Sequence, residues 1–176
     1  GAAVTAFTRI SESPIRERGM IAQPNLIIVA DETLFDDPTA GVLYGQQSAS
    51  ALFVNSADTS ALVATYDFEI PVASFDVTAK TRDVLGRASA LSAGIAGAAA
   101  RLCGCVTQEQ LHQAVRDEFS HLAVSDDVVD RNVAIAADVF AALEAAPIAE
   151  TIRASTAAMA DVRYVNPVLG ASTVYN

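Results

Sequence analysis

The sequence predicts an α/β fold, an open and mostly parallel sheet flanked by helices, with a helical C-terminal half. Two observations carry that prediction. The first half holds three short apolar runs, each closed by a polar side chain: Leu26 to Ala30 before Asp31, Ala51 to Val54 before Asn55, and Val72 to Phe75 before Asp76. Apolar runs without alternation belong to strands buried on both faces, as in a parallel sheet covered by helices. From Asp76 onward the apolar residues recur at helical spacing instead. Ligands of open α/β sheets bind outside the carboxyl ends of the strands, so the three polar stops mark the edge where function is expected.

In chain order, Val4, Ala6, Thr8 and Ile10 alternate with Phe7 and Arg9, which predicts a strand near the start. Ser11-Glu12-Ser13-Pro14 then reads as a turn. Arg9, Arg16 and Arg18 either meet an anionic ligand or stay solvated and paired with Glu12 and Glu17. After the first apolar run, Asp31-Glu32-Thr33 opens a helical turn, its acids suited to the positive end of a helix. Ala61 to Tyr66 reads as a short strand or a connector. Thr78 to Leu85 is expected to be a helix stopped by Gly86, and a second helix starts near Ser89 or Ser92.

Gly94 and Gly97 lie inside that second helix, where glycine costs about 1 kcal/mol relative to alanine. Close approach of another backbone explains them, from the sheet beneath, another subunit or a ligand. Thr107 to Gln110 has capping-box spacing, with Leu111, Ala114, Val115 and Phe119 following on one face. Ser125-Asp126-Asp127 opens a last long helix, whose apolar stripe includes Val133, Ala136, Val139 and Leu143. Residues 146–176 read as a weak helix and an extended, Val- and Tyr-bearing tail, which divides the chain into 1–145 and a C-terminal tail or linker. The chain opens on Gly1 rather than Met, and is read as processed or as a fragment.

A chain of 176 residues is long enough for one domain with a sizeable core. Its net charge of −10 argues against a nucleic-acid groove or a polybasic membrane patch. No apolar run approaches the roughly 20 residues that span a bilayer. Cys103 and Cys105 are the two cysteines. Two thiols neither complete a four-ligand zinc site nor hold an iron–sulfur cluster unaided. They read as small core residues near a helix end, with a redox or shared-metal role as the alternative, in a reducing, cytoplasmic setting. His112 falls off the apolar stripe of its helix, and His121 has no ligand-type neighbour at metal spacing.

The sequence contains no Gly-x-Gly-x-x-Gly or Walker-type phosphate loop and no Gly-x-Ser-x-Gly elbow. With two histidines and the single lysine Lys80, its general bases are mainly carboxylates, and nothing pairs them. The residues therefore point away from a self-sufficient enzyme, and from a nicotinamide enzyme in particular.

Arg9 to Ile15, Gln23 to Asp31 and Ala51 to Ser56, in that order and spacing, resemble the gamma domain of 2-oxoacid:acceptor (ferredoxin) oxidoreductases. The small-residue helix with Gly97-Ala98 and the helices from Thr107 to about Leu143 are similar to that domain's second half. The resemblance spans roughly residues 2 to 145 and implies a Rossmann-like accessory domain. It also implies a complex that decarboxylates a 2-oxoacid on thiamine diphosphate, passes electrons through [4Fe-4S] clusters and releases an acyl-CoA. In that family the alpha and beta parts hold the diphosphate, the delta or beta parts hold the clusters, and the gamma part supports assembly and has been linked to coenzyme A. This implies a non-catalytic chain whose partners are alpha, beta and ferredoxin-like delta subunits. The coenzyme A candidates are Ser11, Asn55 and Ser92, with Arg9 or Arg16 supplying charge. The family's Gly-rich first strand-and-helix unit would precede Gly1, and Ser92 stands where the family usually has Asn. The reading from another class is a free-standing α/β small-molecule-binding or scaffold protein.

Overall fold

The computed structural model describes residues 3–87 and 90–145. Three strands, β1 (Leu26–Val29), β2 (Ala51–Asn55) and β3 (Val72–Phe75), form a sheet in the order β1-β2-β3, and both pairings are parallel. Leu26 pairs with Ala51 and Leu52 with Val72, so the three apolar runs lie in register and their polar stops share one edge. The central strand β2 is buried throughout, as a run apolar on both faces requires. At the outside, β1 and β3 are only half-buried along most of their length, because among the described residues each pairs with a strand on one side.

Among the described residues five helices follow or flank the strands: α1 (Ser60–Thr65), α2 (Val77–Leu85), α3 (Ser92–Cys103), α4 (Gln108–Ser120) and α5 (Asp126–Ala142). The expected helical turn after β1 is a 3-10 turn over Glu32–Asp36, and Asp31 caps it by accepting from the Thr33 amide. Ala61 to Thr65 belong to α1 and not to a strand, with Tyr66 as the extended residue that caps its C-terminus. The first turn of α1 is fixed locally, where the Asp58 carboxylate accepts from the Ser60 amide at 2.7 Å. The strand expected over Val4–Ile10 does not form among the described residues. Alternation alone does not make a strand, since its amides and carbonyls need a neighbouring ladder.

Helix ends match their sequence signals. Gly86 closes α2 and Gly104 closes α3, both with positive φ and with their amides returned to Arg82 and Ala100. Thr107 and Gln110 form the reciprocal capping box of α4. Leu111 and Val115 of its predicted stripe are buried, whereas Ala114 is exposed. The sheet has a core cluster on each side, and a third, of Ala93, Ala100, Leu111, Val115, Val133 and Ala136, packs α3 with α4 and α5. Phe53, Val77, Ala98, Leu102, Val139 and Leu143 fill the helical side, while Val29, Phe35, Leu52 and Val54 pack with Tyr66 and Phe68 on the other. Burial of a side chain such as Phe53 or Leu52 stabilises by roughly 1.5–3 kcal/mol.

Gly94 and Gly97 are explained by helices and not by the sheet. A Cβ on Gly97 would overlap the backbone of Ala136 in α5, and one on Gly94 would overlap Val77 at the start of α2. The α3–α5 crossing is thus a backbone-to-backbone contact that only glycine permits at position 97. Cys103, the last residue of α3, is buried as expected of a small core residue. Cys105, by contrast, is exposed past the helix end. The residues of the predicted tail, 146–176, lie outside the described residues, as does Ser89.

Candidate functional site

The carboxyl edge of the sheet is built around Asn55. Its side chain is buried, and its amide nitrogen donates to the Ala30 carbonyl at 2.9 Å and to Thr78 Oγ1 at 3.0 Å. Its amide oxygen accepts from the Val77 backbone amide at 2.9 Å and, more weakly, from that of Thr78 at 3.4 Å. A carboxamide has two donors and two acceptor lone pairs, so every group of Asn55 is engaged. The residue ties the end of β1 to the first turn of α2. That arrangement makes Asn55 a positioning residue for the edge.

The other two polar stops each commit one carboxylate oxygen to a local cap. Asp76 caps α2 by accepting from the Ala79 amide at 2.7 Å, and Asp31 accepts from both the amide and the hydroxyl of Thr33. Beyond the end of β2, the Ser56 hydroxyl donates to the Asp58 carbonyl and accepts from the Asp58 amide. Asp58 is held below the ordinary carboxylate value of 3.8, chiefly by the Ser60 backbone amide and then by the Ser60 hydroxyl. Thr39 does the same for Asp37, first through its hydroxyl and then through its amide. Tyr66 is pushed upward by desolvation first and then by its hydrogen bond to the Asp36 carboxylate at 3.0 Å.

Ser92 is the first residue of α3, exposed, and follows Leu91, which provides no side-chain cap. The Gly94–Val77 contact puts the start of α3 beside the start of α2, and the Val77 amide is one of the donors to Asn55. The fold therefore sets the start of α3, which Ser92 opens, beside the first turn of α2 that Asn55 holds. Arg9 and Ser11 lie instead in an exposed arm, residues 3–20, whose side-chain hydrogen bonds close within it among the described residues. Arg9 donates to the Gly19 carbonyl at 2.9 Å and to that of Met20 at 3.3 Å, and it faces Glu17 at 3.8 Å. Ser11 Oγ accepts from the Ser13 amide at 3.1 Å. No contact of the arm with the Asn55 corner is formed by these side chains. The sequence reading missed Thr78, whose hydroxyl completes the Asn55 cluster; its position two residues after the Asp76 stop was the available signal.

Two concavities lie away from that corner. One, of about 600 Å³, is formed within the arm by Phe7, Arg9, Ile15, Arg18 and Met20 among others. The other, of about 470 Å³, lies between α4 and α5. Among the described residues no three His, Cys, Asp or Glu side chains come together as metal ligands, and no helix is long and apolar enough to cross a membrane. Cys103 Sγ contacts the Ala100 carbonyl and Cys105 Sγ the Cys103 carbonyl, each at 3.4 Å. Two such thiols do not fit the four-thiolate shell of an iron–sulfur cluster.

A family model described as pyruvate ferredoxin/flavodoxin oxidoreductase matches residues 1–142. The chain belongs to that family. Its similar proteins include the gamma subunits common to pyruvate and ketoisovalerate oxidoreductases of Thermococcus litoralis, 34% identical, and Pyrococcus furiosus, 35% identical. Each of those matches covers 68% of this chain and 64% of the relative. The pyruvate synthase subunit PorC of Methanocaldococcus jannaschii is 31% identical, with 68% of this chain and 62% of that protein covered. The chain thus spans a little under two thirds of the length of these relatives. In fold it is similar to the crystal structure of pyruvate oxidoreductase subunit PORC from Thermotoga maritima. That likeness has a TM-score of 0.57 at 21% identity, covering 69% of this chain and 64% of the other. Membership in the family agrees with the parallel sheet and helical second half, and with the gamma-type resemblance of the Arg9–Ile15 and Ala51–Ser56 segments.

Proposed function

We propose that the chain is the gamma component of a multi-subunit 2-oxoacid:ferredoxin oxidoreductase. In this reading it is non-catalytic, supports assembly with alpha, beta and delta subunits, and serves the coenzyme A side of the reaction. The observation that carries the reading is the family match over residues 1–142, together with relatives named as gamma and PorC subunits. At the carboxyl edge Asp31 and Asp76 cap helical turns through one oxygen each, and Asn55 ties the end of β1 to α2. Thiamine diphosphate and the [4Fe-4S] clusters then belong to the partner subunits. Coenzyme A brings anionic phosphates, to which Ser92 at the open start of α3 and Arg9 and Ser11 of the arm offer donors. Asn55 acts through the edge it holds. Residues 1–145 form the gamma-type domain in this reading, with 146–176 as the connecting tail, and the complex works in the cytoplasm.

The test is to purify the native assembly through a tag on this chain and record its mass, visible spectrum and thiamine content. A large brown species absorbing broadly near roughly 400 nm, as iron–sulfur proteins do, and carrying thiamine diphosphate is the expected result. A small colourless species, from cells shown to express the partner genes, overturns the reading and leaves a free-standing scaffold or binding protein. Titration of the assembly with coenzyme A then compares Ser92→Ala and Ser11→Ala with the parent chain.

A further inference from the structure

We infer that Cys103 and Cys105 form a redox-active dithiol, a modification site that a hydroperoxide converts to a Cys103–Cys105 disulfide and a small thiol restores. The inference goes beyond the functional reading and does not depend on it. Packing accounts for only one of the two residues. Cys103 ends α3 and is buried, whereas Cys105, two positions on, is exposed. Reactivity, more than packing, explains a thiol that stands in the open.

The backbone between the two is shaped for the pair. Gly104 is left-handed, at φ 65° and ψ 6°, and folds the chain back at the end of α3. Cα atoms two positions apart lie roughly 5–7 Å from each other, and a folded-back residue between them sets the short end of that range. Disulfides accept Cα separations of roughly 4.4–6.8 Å. The turn also lays each sulfur against the other residue's backbone. The Cys105 amide donates to Cys103 Sγ at 3.5 Å, and the Cys105 thiol donates to the Cys103 carbonyl at 3.4 Å. Rotation of the two side chains, in which Cys103 Sγ leaves the Ala100 carbonyl, closes the bond.

Such a bond is a chemical device and not a staple. Closing a loop over a single residue removes little entropy from the unfolded chain. A ring that small is strained, and strained or exposed disulfides are the readily reduced ones. The oxidation balances in two steps. The Cys105 sulfur attacks the hydroperoxide and the O–O bond breaks, giving a sulfenic acid at Cys105 and, with the thiol proton, an alcohol or water. Cys103 Sγ then attacks the Cys105 sulfur. The S–O bond breaks, and hydroxide leaves as water with the Cys103 proton. Two equivalents of a small thiol reverse the bond and depart as their own disulfide.

The experiment treats the full 176-residue chain with hydrogen peroxide and reads intact mass and thiol content. The expected product is a monomer that has lost two hydrogen atoms and both thiols, joined within one peptide across residues 103–105, and dithiothreitol restores it. Cys105→Ser should slow oxidation of Cys103 by about tenfold or more, because the buried thiol loses the exposed one that meets the oxidant first. Cys103→Ser should hold Cys105 as a sulfenic acid that dimedone traps. Circular dichroism checks folding, and the exposed-site variant Cys105→Ser carries the test if the change at Cys103 disturbs the core. Two thiols that survive the peroxide, a sulfinic acid at Cys105 of the parent chain, or a disulfide between two chains overturns the inference. So does oxidation of Cys103 at the parent rate once Cys105 is replaced.

Discussion

Asn55 and Arg9 both donate to backbone carbonyls, yet they sit in regions held together in different ways. The bonds of Asn55 join residues 22 to 25 positions apart, inside a buried corner where β1, β2 and α2 meet. Those of Arg9 join residues 10 to 11 apart, within an exposed arm. Losing the first set opens the fold. Losing the second opens a loop. Local opening needs little free energy where few apolar contacts and long-range bonds resist it, so the arm is the low-stability region and the corner the high-stability one.

That contrast is broken most severely at the α3–α5 crossing. Gly97→Val drives a branched side chain into the Ala136 backbone, which cannot yield as a flexible side chain would. We expect a loss of about 3 kcal/mol, the upper range for overpacking, read as a lower urea midpoint with an unchanged slope. A variant as stable as the parent chain would disprove the close approach.

Asn55→Ala comes next. It strands the Val77 amide and the Ala30 carbonyl in a part-buried corner, and about 2 kcal/mol is expected to be lost. Hydrogen exchange at Val77 and Thr78 should speed up with it. The matching change in the arm, Arg9→Ala, should move global stability by no more than about 0.5 kcal/mol, because the residue makes exposed contacts. Equal losses from the two variants would erase the distinction between the regions.

Thr107→Ala sharpens the comparison from within the body. It removes a local device, the cap on the Gln110 amide, and should cost about 1 kcal/mol by thermal denaturation. The smallest effect is expected at Asp58. Its folded-state value lies below the ordinary 3.8, so its contribution is present above that pH and is lost as pH falls through the lowered value. The first turn of α1 should therefore loosen only in acid below about pH 3.8, with faster exchange of the Ser60 amide and no change near neutrality.

Much of the fold was legible because its signals are local. Three apolar runs became the three parallel strands, and Gly86 and the Thr107–Gln110 box ended or began the helices they were expected to. Val4–Ile10 had the alternation of a strand, but alternation describes two faces and does not supply a partner. Ala61–Tyr66 was apolar and ambiguous, and one carboxylate at Asp58 with packing of Leu62 against the aromatic side of the core resolved all but Tyr66 as a helix. For the candidate site, the polar residues at the strand ends were visible as a set. What they bond to was not, and Thr78 gave little sign of joining them.

By itself the sequence determined where strands stop, which residues cap the helices, and the family to which the chain belongs, since each depends on residues near one another in the chain or on their order. Only the tertiary structure decided that Asn55 is saturated, that Gly97 faces α5 and not the sheet, and that the arm stands apart from the Asn55 corner. Those outcomes depend on groups brought together from distant positions, where burial and hydrogen-bond geometry, rather than local preference, determine what each side chain does.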